Sequence, residues 1–313
     1  CTTRYQQRAE AMALPTLTIA VVPSLQQLEG AMRRAKIGKG VGLDGIPDDL
    51  FKQLPVDLAA FTYPLLFKSV VRCEEPLCMK GGRYAELYKG RGVHAACSSF
   101  RQILLANTLS KKFHSTIREQ CMTQIKHVLR PLQCGGRKGM STDFATHASN
   151  TYAKVSKRTG VSSARLYFDV VSAYYTAIRQ QVARSQFEQT THSLFDLLDI
   201  PDSAKTELKA LLQLPSAMSA AGADQHLEEF VAEILSDTWF TMHGSQGIAA
   251  TQRGTRPGDP LADLLFCLLL SGILCKIEVR SREHQGPTKL SWDGSKSAAV
   301  SLDVTHIEEI FDV

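Results

Sequence analysis

From Ser24 to Ala35 apolar side chains recur at helical spacing, with Leu25, Leu28 and Met32 on one stripe, and the run stops at a glycine cluster. Lys36–Pro47 (KIGKGVGLDGIP) is a turn-rich basic loop. A helix is predicted over Asp48–Leu54 and again over Val56–Arg72, either side of Pro55. Tyr84–Lys89 and Phe100–Ala106 read as short strands flanking a Gly/Ser-rich connection. A basic helix over Leu109–Val128, a glycine loop over Leu132–Ser141 and a helix over Asp143–Lys157 follow. Arg165–Val170 is an apolar, aromatic run of strand type, and Ser172 stands where it could cap a helix over Ala173–Glu188. Residues 190–235 are leucine-rich and mostly helical in pattern. Thr238–His243 and Gln246–Thr251 predict a hairpin turning at Gly244-Ser245. The longest helix is expected over Pro260–Val279, with Asp259 as its cap and Pro260 in its first turn. Residues 1–22 form a helical or frayed lead-in, 281–296 a surface loop, and 298–304 and 310–313 are strand-like.

With 313 residues and 44% hydrophobic content, the chain can build one large or two ordinary cores. It begins at Cys1 rather than Met, and a fragment of a longer protein is the expectation. The net charge of +5 is unevenly spread. Residues 80–140 carry twelve Lys/Arg against two acids, +10 in one segment, while residues 141–313 carry −6. Such a segment suits a polyanion such as nucleic acid, or is simply a solvated face. The eight cysteines (Cys1, Cys73, Cys78, Cys97, Cys121, Cys134, Cys267, Cys275) lack CxxC pairing or a histidine at ligand spacing. That pattern predicts a reduced intracellular chain, nuclear or cytoplasmic, without a zinc site. Cys267 and Cys275 are expected to pack inside the long helix. Its apolar run Leu261–Leu274 is too short to span a bilayer, and no membrane partner is expected.

Two stretches could carry chemistry. Arg253–Leu261 (RGTRPGDPL) is a glycine-punctuated loop opening into a helix, whose first N–H groups suit a phosphate-bearing ligand. Leu166–Tyr175 (LYFDVVSAYY) is an apolar strand that delivers one carboxylate, Asp169, near its end. An aspartate there suits an octahedral Mg2+ site, although a turn or cap is the commoner role for a lone one.

Taken in order, five segments resemble the blocks of reverse transcriptases, especially those of non-LTR retrotransposons and group II introns. They are Lys39–Pro47 (KGVGLDGIP), Lys89-Gly90 with Ser98–Ile103 (SSFRQI), Gln133–Thr142 (QCGGRKGMST), Phe168–Tyr175 (FDVVSAYY) and Gly254–Phe266 (GTRPGDPLADLLF). The similarity covers roughly residues 25–275. It implies an α+β right-hand polymerase, with helices on a small antiparallel sheet. A lead-in would span 1–24, fingers 25–160 and an incomplete palm 161–313, with a helical insertion at about 190–235 and no thumb. It implies RNA-directed DNA synthesis by two-metal phosphoryl transfer. The partners would be an RNA template, a DNA or RNA primer, deoxynucleoside triphosphates and Mg2+ or Mn2+. Asp169, helped by the Val170 carbonyl, would hold the metals, and Tyr174 would lie under the sugar and exclude a 2′-hydroxyl. Lys89 and Arg101 would grip the triphosphate, and Gly258 would admit the nucleotide or template close to the backbone. Arg137, Lys138 and Arg256 would meet the template strand.

Two departures stand out. Pro257 occupies the position where the family usually has glutamine, which removes a side-chain hydrogen bond and a backbone donor. The paired aspartates that usually follow the long helix are missing: Ser301–Val313 offers Asp303, Glu308, Glu309 and Asp312 but no Asp-Asp. The expectation is that the chain stops just before that motif, with Ile310–Val313 as its lead-in. The alternative reading is a truncated or degenerate remnant that binds nucleic acid and catalyses nothing. A third is an unrelated helical scaffold. The oligomeric state is not predicted.

Overall fold

A computed structural model describes residues 15–130, 133–135, 137, 139–160, 170, 172–185, 202–242, 244 and 247–283. The lead-in residues 1–14, the predicted strand at 165–169, and residues 298–304 and 310–313 lie outside the described residues.

Helix α1 (Leu25–Arg33) begins where the pattern places it, because Ser24 closes a capping box. The Gln27 N–H donates to Ser24 Oγ at 3.2 Å, and the Ser24 N–H donates to Gln27 Oε1 at 2.8 Å. Helices α2 (Asp48–Gln53) and α3 (Pro55–Arg72) are divided at Leu54, and Pro55 sits in the first turn of α3, where its missing N–H costs nothing. The hairpin strands β1 (Gly81–Tyr88) and β2 (Phe100–Ala106) lead into α4 (Thr108–Ile125). Phe113, Ile117, Cys121 and Ile125 repeat every four residues along α4 and are buried. They meet Leu28 and Met32 of α1 and Leu66 and Val70 of α3 in one core. Each such aliphatic side chain contributes roughly 1.5–3 kcal/mol on burial.

Helix α5 (Thr142–Thr159) is capped by Ser141 and ends at Gly160 in a left-handed conformation. The helix expected over Ala173–Glu188 is interrupted. Among the described residues of that span α6 (Ala173–Thr176) and α7 (Arg179–Val182) form, with Ala177 and Ile178 extended between them. Ser172 sits at φ 55° and makes no side-chain cap. The cause is tertiary: the carbonyls of Tyr174 and Ala177 accept the Thr255 and Gly254 N–H groups rather than those of a further helical turn. The leucine-rich region then gives α8 (Asp202–Gln213), α9 (Ala217–Ala220) and α10 (Gln225–Leu235), the last buried from His226 to its end.

β3 (Thr238–Met242) and β4 (Ile248–Thr251) pair antiparallel, as the hairpin pattern predicts, and Gly244 takes φ 77° between them. The four strands among the described residues form one sheet in the order β2-β1-β3-β4. The expected antiparallel sheet is corrected here to a mixed one, because β1 and β3 run parallel, with Gly82 beside Phe240. β2, antiparallel to β1, brings the chain back to the end where β1 starts, and β3 sets out from that same end after the intervening helices. This pairing joins a strand from before residue 160 to one from after it.

The last described element, α11 (Ala262–Glu283), starts two residues later than the pattern indicates. Leu261, Leu264, Leu265 and Leu268 enter the core together with α10. Cys267 is buried, as expected, but Cys275 is exposed. Among the described residues no helix is long and apolar enough to cross a membrane.

Candidate functional site

The Gly254–Asp259 loop lies at the junction of α6, β2 and α11. Three of its residues occupy the left-handed region: Gly254 (φ 87°), Arg256 (φ 57°) and Gly258 (φ 108°). Their alternation lets the loop dock on two neighbours. On one side the Thr255 N–H donates to the Tyr174 carbonyl at 2.7 Å and the Gly254 N–H to Ala177 at 2.8 Å. A Cβ on Gly254 would stand 2.7 Å from the Tyr174 carbonyl oxygen, so the approach demands glycine. On the other side the Leu104 N–H donates to the Pro257 carbonyl at 3.0 Å. Thus the tyrosine segment and the helix mouth, some eighty residues apart in sequence, are directly bonded.

Beneath the loop lies a buried chain of charges. The Arg256 guanidinium donates to Asp259 Oδ2 at 2.7 Å and to the Lys80 carbonyl at 2.9 Å. His114 stands between two carboxylates, with Nδ1 2.6 Å from Asp259 and Nε2 2.5 Å from Glu75. Burial alone would push the imidazole pKa down from 6.5, but the two carboxylates and their hydrogen bonds outweigh it and raise it to about 9. Burial likewise opposes charge on Asp259, yet His114 and Arg256 hold its carboxyl well below the usual range. Asp259 Oδ1 also accepts the Leu261 N–H at 2.9 Å, a side-chain turn just ahead of the helix, which starts at Ala262 rather than directly after the expected cap. Nearby, Lys80 and Glu233 form a second buried pair at 2.5 Å.

The expected site residues divide accordingly. Asp169 and Lys138 lie outside the described residues, while Val170 is 53% exposed. Tyr174 is half-exposed, its ring 5.3 Å from that of Phe266 on α11. Its hydroxyl pKa is raised by burial, with the nearby Asp263 carboxylate adding to the effect. Lys89 is exposed and donates from Nζ to the Ser98 carbonyl at 2.6 Å, closing its own hairpin. Arg101 is exposed on β2, opposite Leu87. Arg137 donates to the Arg130 carbonyl at 2.7 Å and so braces its own loop.

Two expected roles are corrected. Arg256 is 5% exposed and turned inward, where the charge of Asp259 is, so it is not a surface contact for a template. The close approach at Gly258 is to the protein's own β2, since a Cβ there would stand 2.4 Å from the Leu104 carbonyl oxygen. The basic segment is also less exposed than its count suggests. Lys80, Lys112 and Arg118 pair with Glu233, Asp48 and Asp263. Lys89, Arg91, Arg101 and Lys126 are exposed.

Between the sheet and the loop opens a cleft of about 390 Å³, lined by Tyr84, Tyr175, Phe240, Arg179 and residues 250–254. Tyr84 is a neutral phenol there, its pKa pushed up to about 12 mainly by burial. Tyr175 donates its hydroxyl proton to the Gln102 carbonyl and ties the tyrosine segment to β2. Among the described residues no three His, Cys, Asp or Glu side chains converge as a metal-ligand set. Sequence reasoning missed Glu75, His114 and Arg179. His114 and its partners are 39 and 145 residues apart, and no local pattern links them. No protein-family model matches this chain, and comparison with curated proteins returns no match.

Proposed function

We propose that this chain is the fingers–palm portion of an RNA-directed DNA polymerase of a mobile element. The observation that supports the reading most is the 2.7 Å bond between the Tyr174 carbonyl and the Thr255 N–H. It brings two of the five family-like segments edge to edge, the arrangement a shared nucleotide would need. In this reading Tyr174 lies under the sugar of the incoming deoxynucleotide, and the start of α11 directs its positive end toward the triphosphate. Lys89 and Arg101 approach the phosphates from the hairpin, Lys89 exchanging the Ser98 carbonyl for a phosphate oxygen. Arg137 serves the template only through the loop it braces, and Lys138 beside it would meet the strand. Asp169, five residues before Tyr174, is the proposed ligand for Mg2+ or Mn2+, with the Val170 carbonyl beside it. When bound, such a metal would supply Lewis-acid polarisation for phosphoryl transfer, and Asp169 with the Val170 carbonyl would hold it. The described residues supply no further ligand set, so no step is assigned to particular metal contacts.

The alternative, a remnant that binds nucleic acid without catalysis, draws on Pro257, which offers neither an amide side chain nor an N–H beside the proposed nucleotide. Primer extension on an RNA template, using the full open reading frame with Mg2+ and deoxynucleotides, separates the two. The polymerase reading expects incorporation that Asp169→Ala abolishes while nucleic-acid binding stays nearly intact. Binding without incorporation selects the remnant. Incorporation unaffected by Asp169→Ala removes that residue from the metal site.

A further inference from the structure

Arg179 is 6% exposed and uses every N–H of its guanidinium. Nε donates to the Gly254 carbonyl at 2.9 Å. One terminal nitrogen donates to Leu235 at 2.7 Å and to the Thr251 carbonyl at 2.9 Å. The other donates to the Thr251 hydroxyl at 2.9 Å and the Arg253 carbonyl at 3.0 Å. Four of these five acceptors belong to residues 251–254, the stretch leading from β4 into the loop. The fifth is at the C-terminal end of α10, where the helix dipole favours a cation. Arg179 itself opens α7, two residues after Ala177, whose carbonyl holds the Gly254 N–H. The planar fork therefore grips the loop from the chain that carries Tyr174. The Arg256–Asp259–His114 chain holds the same loop as well.

We infer that Arg179 is a positioning residue that locks the Tyr174 segment and the Gly254–Asp259 loop into one unit. Its side chain does not touch the proposed nucleotide; it sets the spacing between two segments that would. A lysine cannot replace it, because an ammonium has three donors and no fixed fork. Removing the side chain leaves a cage of five acceptors shaped for a guanidinium ion.

The test compares wild type, Arg179→Ala and Arg179→Lys in the full open reading frame by amide hydrogen exchange. In Arg179→Ala, exchange over 172–178 and 251–256 should rise together by about tenfold or more, the loss of a bond network worth at least one such factor. Residues 108–125 should keep their protection. Guanidinium chloride at low millimolar concentration should restore protection, and urea or sodium chloride at the same concentration should not. If Arg179→Ala fails to fold, Arg179→Lys decides, with a smaller rise expected in the same two segments. Unchanged exchange, loosening of one segment alone, or a loosening that guanidinium does not reverse overturns the inference. The linked kinetic expectation rests on the polymerase reading: Arg179→Lys should raise KM for the nucleotide severalfold while changing kcat less. A wild-type protein without incorporation would defeat that reading while the exchange result still judges the lock.

Discussion

Consider the histidine at the centre of the buried charge chain. His114 is protonated between Asp259 and Glu75, and its pKa rises from 6.5 to about 9 in the folded protein. Below about pH 6.5 both folded and unfolded chains bind the proton, and its contribution to stability is fully present. Between 6.5 and about 9 the unfolded chain releases the proton while the folded chain keeps it, so stability falls with rising pH. Above about 9 the contribution is gone. At about 1.4 kcal/mol per pKa unit, the loss amounts to roughly 3 kcal/mol, a large share of a domain's net stability. The depressed Asp259 carboxyl reports the same contact from its other end, so the two are not added. That end contributes above the ordinary carboxylate pKa of 3.8 and is lost as pH falls through its lower folded value. Urea unfolding, followed by tryptophan fluorescence on wild type and His114→Gln across about pH 6 to 10, isolates the effect. Glutamine keeps donors for the carboxylates but carries no charge. The stability gap between the two proteins should narrow by roughly 3 kcal/mol over that range. A gap that stays flat, or widens, would mean that His114 is neutral in the folded protein and that the charge chain is drawn wrongly.

Three further outcomes are expected. Gly258→Ala combines a left-handed backbone with a Cβ 2.4 Å from the Leu104 carbonyl oxygen, and endangers the Leu104–Pro257 bond. It should cost roughly 2–4 kcal/mol in chemical denaturation, and a cost below about 0.5 would show that the loop is not seated on β2. Pro257→Gln introduces the side chain usual in the resembled family and should raise incorporation in primer extension; equal or lower incorporation would show that Pro257 does not limit it. Nucleic-acid binding should weaken with salt, but with four exposed basic residues among the described part of the 80–140 segment the log–log slope should be near −4 rather than −10. A flat response would mean that these side chains meet no phosphate.

Local pattern was enough for the elements whose stabilisation is local. The capping box at Ser24, the four-residue repeat of Phe113, Ile117, Cys121 and Ile125, and the Gly244 turn each write their conformation into a few consecutive residues. The candidate loop was legible too, because Gly254, Gly258, Asp259 and Pro260 punctuate it, and Asp259 makes a side-chain turn with Leu261 just before the helix. Tertiary structure decided the rest. Whether β1 pairs parallel with β3 depends on how the intervening helices pack, since no residue in either strand encodes direction. Ala177 leaves the helix because its carbonyl finds Gly254, a partner far along the chain. A charge count cannot see that Lys80 meets Glu233 or that Arg256 meets Asp259. Burying a charge is costly until its partner arrives, and that partner is supplied by the fold rather than by its neighbours in sequence.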